Sequence, residues 1–526
     1  MIVDKIRKLK QDKGFIKYFN NTSWLLLQRI LRIFSGLFIG IWVTRFLGPN
    51  QFGILSYAQS FVALFAAFSS LGLNRLLTRE LVRNPDQEYI ILGTSLVLQT
   101  LGSIILTFFL IIGLLFIEHD PLTTQIIILL AIPTFLQSFG IIDNLYQSKV
   151  QGRYSAIVNI ITIIISATIK VALIYFETSL IYFVYALILD SVILAMGFVI
   201  SYKKWYDTIF SWQFSLLKAK TLLKDSWPMI MSGIIVTVYM KVDQIMIHEF
   251  LNADQVGLYA AAARLSEAWS FIPTILTTSL FPAIVNAKKN NEKLYYNRIQ
   301  KLYDLMVYIS LAIAIPISFI SNWAVVFLYG TSFAESAPVL TLHIWGSIFI
   351  FLGVARGGWI LNENLQRYSI YYLGAGMIAN VVLNIFLIPS QGIVGAALAT
   401  VIAQSISVLF APLLFKKTRL SFYMMIKSFG VFNLLNALIK RKQKKLLEMT
   451  IDELRLLDKK SESEILQLNN NLLFQILNHA NRTTEYYKNL IKANNIDINE
   501  ISSFKKLPLL DKNKIQKNKK NLISKK

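Results

Sequence analysis

Residues 177–204 read ETSLIYFVYALILDSVILAMGFVISYKK. From Leu180 to Ser201 the one charged side chain is Asp190, and the run closes on Lys203 and Lys204. The short segment before it, 177–179, holds no Lys or Arg. A helix needs about 20 mostly apolar residues to cross a bilayer. Basic residues mark the cytoplasmic end of such a helix. This stretch therefore reads as one crossing with a defined direction.

The same unit recurs along the chain. Apolar runs at 24–44, 52–73, 90–116, 124–146, 154–176, 180–201, 226–247, 257–280, 304–329, 338–361, 368–388 and 392–414 predict twelve spans. Every second connection is basic: Arg75, Arg79 and Arg83; Lys149 and Arg153; Lys203 to Lys224; Lys288 to Lys301; Arg367; Lys416 to Arg419. The connections between them, 117–123, 177–179, 248–256, 330–337 and 389–391, have no Lys or Arg, and Arg45 alone breaks the pattern. Loop charge sets orientation, so both ends are expected in the cytoplasm. The basic start of the chain is not expected to act as a signal peptide, because the run that follows is too long and carries Arg29 and Arg32.

Composition agrees. Of the 526 residues 55% are hydrophobic and 16% charged, against about 25% charged in soluble domains. There is no Cys, and the four His are scattered, so no disulfide frame, thiolate site or metal-ligand spacing is present and no cofactor is expected. The net charge of +23 would suggest nucleic acid in a soluble protein. Here it reads as positive cytoplasmic loops facing anionic lipid or substrate, with no nucleic-acid partner.

Two places look duplicated. Phe46-Leu47, Gln51 and Gly53 repeat as Phe250-Leu251, Gln255 and Gly257; Arg153-Tyr154-Ser155 repeats as Arg367-Tyr368-Ser369. Chance matches of this length occur in a Leu/Ile-rich chain. Two in the same order favour a duplication that lays span one over span seven and span five over span eleven. The chain then divides into a six-helix lobe at 1–201, a connector at 202–225 and a second six-helix lobe at 226–414. Parallel repeats place a pathway between the halves.

Ionisable residues inside spans are costly and usually face a cavity or a partner. The cations are Arg29, Arg32, Lys170, Lys241, Arg264 and Arg356; the acids are Asp143, Asp190, Asp243 and Glu267. The cations fall into two tiers, Arg29, Arg32 and Arg356 nearer the cytoplasm and Lys170, Lys241 and Arg264 further out. Such a ladder suits a phosphate-bearing group that crosses the membrane. Each has a competing structural reading. Arg264 can pair with Glu267, Lys241 with Asp243 and Lys170 with Asp190, and Arg29 can snorkel. Arg32 and Arg356 have no acid within four positions, which makes them the strongest substrate candidates. The four acids are candidates for ion coupling or for pairing. Gly36 and Gly40 share a face of span one with Arg29 and Arg32 and read as a helix-packing pair.

At these residues the chain resembles a family. Thr44-Arg45-Phe46-Leu47-Gly48-Pro49 with Phe52-Gly53, Lys241-Val242-Asp243-Gln244, Val256-Gly257-Leu258-Tyr259, Ala262-Ala263-Arg264, Phe281-Pro282, Tyr329-Gly330, Ala337-Pro338, Asn380, Asn384 and Gly392 to Ala397 are similar to the Wzx-type polysaccharide biosynthesis flippases of the multidrug/oligosaccharidyl-lipid/polysaccharide exporter superfamily. The resemblance covers about 1–420. It implies an all-α membrane protein with two lobes around a cavity, working by alternating access and not as an enzyme. The implied cargo is an undecaprenyl-pyrophosphate-linked repeat unit for capsule, O-antigen or exopolysaccharide. The implied place is a bacterial inner membrane, among membrane lipids, beside a polysaccharide polymerase and a chain-length regulator. A drug or metabolite antiporter of the same fold is the alternative, and the cation ladder opposes it. A membrane glycan enzyme is opposed by the short outer loops.

The tail departs from that family. Residues 415–440 read as an interfacial helix. From Lys440 onward 20 Lys/Arg face 10 Asp/Glu, so 441–526 is expected as a basic, helical cytoplasmic tail. Ile476 to Ala480, Glu485-Tyr486-Tyr487 and Leu507 to Lys512 resemble the opening of phenylacetate–CoA ligase-like capsule enzymes. That resemblance implies a truncated fragment joined to the membrane part. No Gly occurs after Gly430, which excludes a nucleotide phosphate loop.

Overall fold

The computed structural model describes residues 13–117, 120–430, 462–494 and 496. All regular structure among them is helical. The chain divides at Gly430 into two units.

In the first unit the helices are α1 (Lys13–Leu64), α2 (Ala66–Ser70), α3 (Leu73–Arg83), α4 (Glu88–Phe116), α5 (Pro121–Leu136), α6 (Ile141–Ser148), α7 (Gly152–Tyr175), α8 (Leu180–Trp205), α9 (Leu216–Phe250), α10 (Ala253–Glu267), α11 (Phe271–Asn290), α12 (Glu292–Tyr329), α13 (Ser336–His343), α14 (Gly346–Asn362), α15 (Arg367–Ser405) and α16 (Arg419–Ser428). Ten helical segments among the described residues are long and apolar enough to cross a membrane. Two of these, Asn20–Leu64 and Arg367–Leu414, each cover two of the predicted spans. Each is broken at a glycine with non-helical angles, Gly48 (φ 70°, ψ 174°) and Gly392 (φ 61°, ψ −144°). These left-handed φ values suit glycine. Pro49 then opens the second helical part, where its missing N–H costs no hydrogen bond.

Three cores hold this unit. One draws on both halves at the end of the lysine-free connections, joining Leu47, Phe52 and Tyr57 to Val256, Tyr259, Tyr329 and Phe333. At the basic end the halves have separate cores. One is built on Leu73, Ile91, Tyr146 and Tyr202, the other on Tyr295, Tyr303, Phe351 and Met425. The buried cores are thus shared at one end and separate at the other, where α9 still carries Met229 and Ile230 onto the first half beside Gly72.

At the basic end, Lys218 of the expected connector bonds Glu80 at 3.0 Å, and Arg79 reaches Asp225 at 3.0 Å. Burial raises the Glu80 carboxyl, but the bond and charge of Lys218, with Arg79 behind them, outweigh this and hold it below the usual carboxylate range.

The helix expected over 415–440 is seen at Arg419–Ser428. It packs on α12, with Gln300 donating to Met424 O and Ser428 Oγ at 3.0 Å each. Residues 431–440 lie outside the described residues.

The second unit contains α17 (Glu462–Thr483) and α18 (Glu485–Ala493). Ile476 to Ala480 fall on the first and Glu485 to Tyr487 on the second. The Leu507 to Lys512 motif and most of the tail's lysines lie outside the described residues, as does most of the basic start of the chain.

Candidate functional site

Span one supplies a wall of the cavity. Arg32, Gly36 and Ile41 of α1 face Arg264 and Leu265 of α10 and Ile317, Ile320 and Leu328 of α12 across a mostly apolar cavity of about 630 Å³. The cavity therefore lies between the first half of the chain and the second. A smaller cavity of about 160 Å³ adjoins it through Gly36 and Arg264 and adds Gly40, Gln59 and Lys170.

Arg32 is exposed to the cavity and donates to Asn159 Oδ1 on α7. Asn159 is held in turn by its bond to Ser155 O at 2.9 Å. Arg264 is also exposed; its Nη1 donates to Thr44 Oγ1 at 3.2 Å and approaches Gly40 O at 3.5 Å. A Cβ on Gly40 would stand 3.3 Å from that guanidinium, and one on Gly36 would meet nothing within 4 Å. The two glycines expected to pack helices instead open span one to the cavity and seat an arginine. Among the described residues both arginines touch only neutral groups, and Arg264 does not pair with Glu267. Each keeps guanidinium donors for an anion. Gly40 lies eight residues from Arg32, a rise of about 12 Å, so the two cations stand at different depths.

The other predicted cations are placed differently. Lys170 reaches the smaller cavity, but its Nζ is 2.7 Å from Asp190 Oδ2 and 2.7 Å from Ser166 Oγ. Lys241 is half-buried and Arg29 exposed; among the described residues neither makes a hydrogen bond or ion pair, and neither lines the larger cavity. Arg356 is 6% exposed and is also absent from that lining. Its Nη1 donates to Ser407 O at 3.1 Å and Val408 O at 2.6 Å, and its guanidinium lies 4.8 Å from the Tyr372 ring centre. The cause is local. The last span ends in a π-helical turn, Ile406–Phe410, in which the Ala411 N–H turns back to Ile406 O. That leaves Ser407 O without its usual donor, and Pro412 has no N–H for Val408 O. Arg356 takes up both carbonyls.

Of the acids, Asp143 accepts from Gln147 of its own helix at 2.9 Å, and Glu267 is exposed. Asp243 is 4% exposed and sits in a buried polar cluster. Tyr259 OH and Thr400 Oγ1 lie 2.8 and 2.6 Å from its Oδ2, and Asn384 Nδ2 lies 2.6 Å from its Oδ1. Asn384 Oδ1 and Asn380 Nδ2 are buried without hydrogen-bond partners. The sequence reading missed the roles of Asn159, Thr44, Tyr259 and Thr400. Asn159 was the most findable, being an amide inside a predicted span.

Above the cavity the halves meet directly. Asn50 Nδ2 donates to Asp254 Oδ2 at 2.9 Å, Tyr57 OH to Glu249 Oε1 at 2.9 Å, and Ser60 Oγ to Gln244 Oε1 at 2.6 Å. The Tyr57 ring stacks on His248 at 3.8 Å.

Comparison with solved structures gives the fold. An inward-facing multidrug resistance transporter of the MATE family aligns with a TM-score of 0.62 at 13% identity, over 76% of this chain and 96% of its own. The lipid II flippase MurJ in an inward closed conformation aligns with a TM-score of 0.56 at 16% identity, over 78% and 90%. Among curated proteins, the chain is 23% identical to the probable flippase AglR of Haloferax volcanii, over 73% of this chain and 80% of that one. It is 20% identical to the capsular polysaccharide biosynthesis protein CapF of Staphylococcus aureus, over 74% and 97%. The polysaccharide biosynthesis protein family matches residues 19–288, just over half of the sequence, and the chain belongs to that family.

Proposed function

We propose that this protein is a flippase that carries a lipid-linked oligosaccharide across a membrane for capsule, O-antigen or exopolysaccharide synthesis, by alternating access and without acting as an enzyme. One observation carries the reading: two arginines with no acidic partner face one apolar cavity between the halves. A pyrophosphate meets the guanidinium groups, while the prenyl tail lies along Ile41, Ile317 and Ile320. The cargo is an undecaprenyl-pyrophosphate-linked repeat unit. A cation-exporting antiporter would be ill served by two uncompensated positive charges.

In this reading the cavity opens at the basic end, where the cores are separate, and the protein crosses a bacterial inner membrane twelve times as two six-helix lobes with both termini cytoplasmic. Arg32 receives the diphosphate and Arg264 takes it further in. Asp243, the most fully enclosed of the predicted acids, holds the coupling cation. The polymerase and chain-length regulator of the same glycan are its partners.

The test is lipid-linked oligosaccharide flipping by purified protein in liposomes. Arg32→Gln and Arg264→Gln should each lower the rate at least tenfold with normal folded yield, as expected from losing about 1.5–3 kcal/mol of charged hydrogen bonding. Normal rates in both variants would refute the assignment. A reporter after Lys417 should read as cytoplasmic and one at Thr331 as external; the reverse would refute the orientation.

A further inference from the structure

A third cavity lies away from the halves' common face. α7 and α8 run antiparallel, so the start of α7 and the end of α8 share the basic end. Between them runs a groove of about 590 Å³. On α7, Asn159 meets Arg32 and Lys170 lines the smaller cavity, so those residues mark the inner face. Ile157 and Ile161, two positions either side of Asn159, lie on the opposite face at 100° per residue. That face lines the groove.

The groove has the chemistry of an amphiphile. Its walls are Ile157, Ile161, Ile193, Met196 and Ile200. Met196 and Ile200 are 56% and 62% exposed. Its floor is tight: a Cβ on Gly197 would stand 2.7 Å from Val158 Cγ1. At the basic end stand Arg153 and Lys204, beside Tyr154 stacked on Trp205 at 4.7 Å. Tyrosine and tryptophan favour this depth of a membrane. Arg153 lies 5.5 Å from the Trp24 ring and Lys204 5.4 Å from the Trp205 ring. Neither has a carboxylate partner among the described residues. Nearby lysines at the same end are paired: Lys149 with Glu88 at 2.6 Å and Lys218 with Glu80 at 3.0 Å.

We propose that this groove binds a diacyl phospholipid with an anionic headgroup. Its phosphate sits between Arg153 and Lys204, and an acyl chain lies along the isoleucine wall, about 12 Å from Arg153 to Ile161. A phosphatidylcholine would bring its own cation beside two others, so the groove selects for net negative charge. The site is separate from the cavity assigned to the cargo.

The experiment titrates brominated phosphatidylglycerol and brominated phosphatidylcholine into the detergent-solubilised full chain. The Trp205 signal is the difference between the protein and its Trp205→Phe variant. Phosphatidylglycerol should quench it at a concentration at least fivefold lower than phosphatidylcholine. Arg153→Gln and Lys204→Gln should each weaken phosphatidylglycerol about fivefold and leave phosphatidylcholine unchanged. Ile161→Trp, which fills the groove, should abolish the preference with both cations in place. Equal quenching by the two lipids, or a preference that survives both neutralisations, overturns the proposal. So does quenching by neither lipid, which would mean that a second copy of the chain covers the groove.

Discussion

Asn50 and Asp254 occupy the same place in the internal repeat, 204 residues apart, and they bond to each other at 2.9 Å. The two matching stretches of sequence thus lie side by side where the halves meet. The neighbouring glycines behave alike. A Cβ on Gly53 would stand 1.7 Å from Ala253 O, and one on Gly257 would stand 2.0 Å from Pro49 O. The repeated motif is therefore the seam itself, closed backbone to backbone.

Asn50→Cys with Asp254→Cys should lock this seam. The chain has no native cysteine, so oxidation can form only the engineered bond. Flipping in liposomes should stop on oxidation and return on reduction. Unchanged flipping by fully cross-linked protein would mean that the seam does not open during transport.

Gly257→Ala should force the seam apart, because the methyl group meets a carbonyl held by its own helix. Overpacking of this kind costs about 1–3 kcal/mol. The melting temperature in detergent should fall by several degrees, and Gly53→Ala should match it. Gly36→Ala, with open space at its Cβ position, is the control and should melt normally.

Arg356→Gln should lose folded protein in preference to transport. The guanidinium bonds two carbonyls freed by the π-helical turn and Pro412. Removing a buried bond of this sort costs about 1–3 kcal/mol. Thermal stability should drop, and flipping per folded molecule should stay within about twofold. Arg32→Gln should do the opposite, and a stable but inactive Arg356→Gln would return Arg356 to the substrate path.

Acid should loosen the link between the connector and the first half. The Glu80 carboxyl is held below its usual range, so the stability it supplies is present above the unfolded carboxylate pKa and lost as pH falls through the lower folded value. Melting followed from pH 7 to pH 3 should show this loss in the parent protein. Glu80→Gln should melt lower at pH 7 and respond less to acid.

Much of this was legible in the sequence. Hydropathy and loop charge located the apolar segments, and the F-L-x-x-x-Q-x-G repeat marked both sides of the seam. Arg32 and Arg264 were readable as cavity cations because charge in a span needs a destination. Arg356 misled for a physical reason. Its partners are backbone carbonyls, which no side-chain pattern announces, and the clue was Pro412, 56 positions away. Gly36 and Gly40 misled because small residues admit a guanidinium as readily as a helix. The environment of Asp243 gathers Tyr259 from α10 and Asn384 and Thr400 from either side of the Gly392 break in α15, which only the tertiary fold brings together.

The three cores give the molecule a resting bias. To face the other way, the halves must part where Leu47, Phe52, Val256 and Phe333 now share one apolar interior. They would meet where each half already has a core of its own. Water would reach side chains whose burial is worth about 1.5–3 kcal/mol each. Under the proposed alternating access, an empty protein therefore waits on its basic side, and reversal falls to whatever the cavity and the buried polar cluster hold. In that scheme the packing that shuts the gate also suppresses idle cycling.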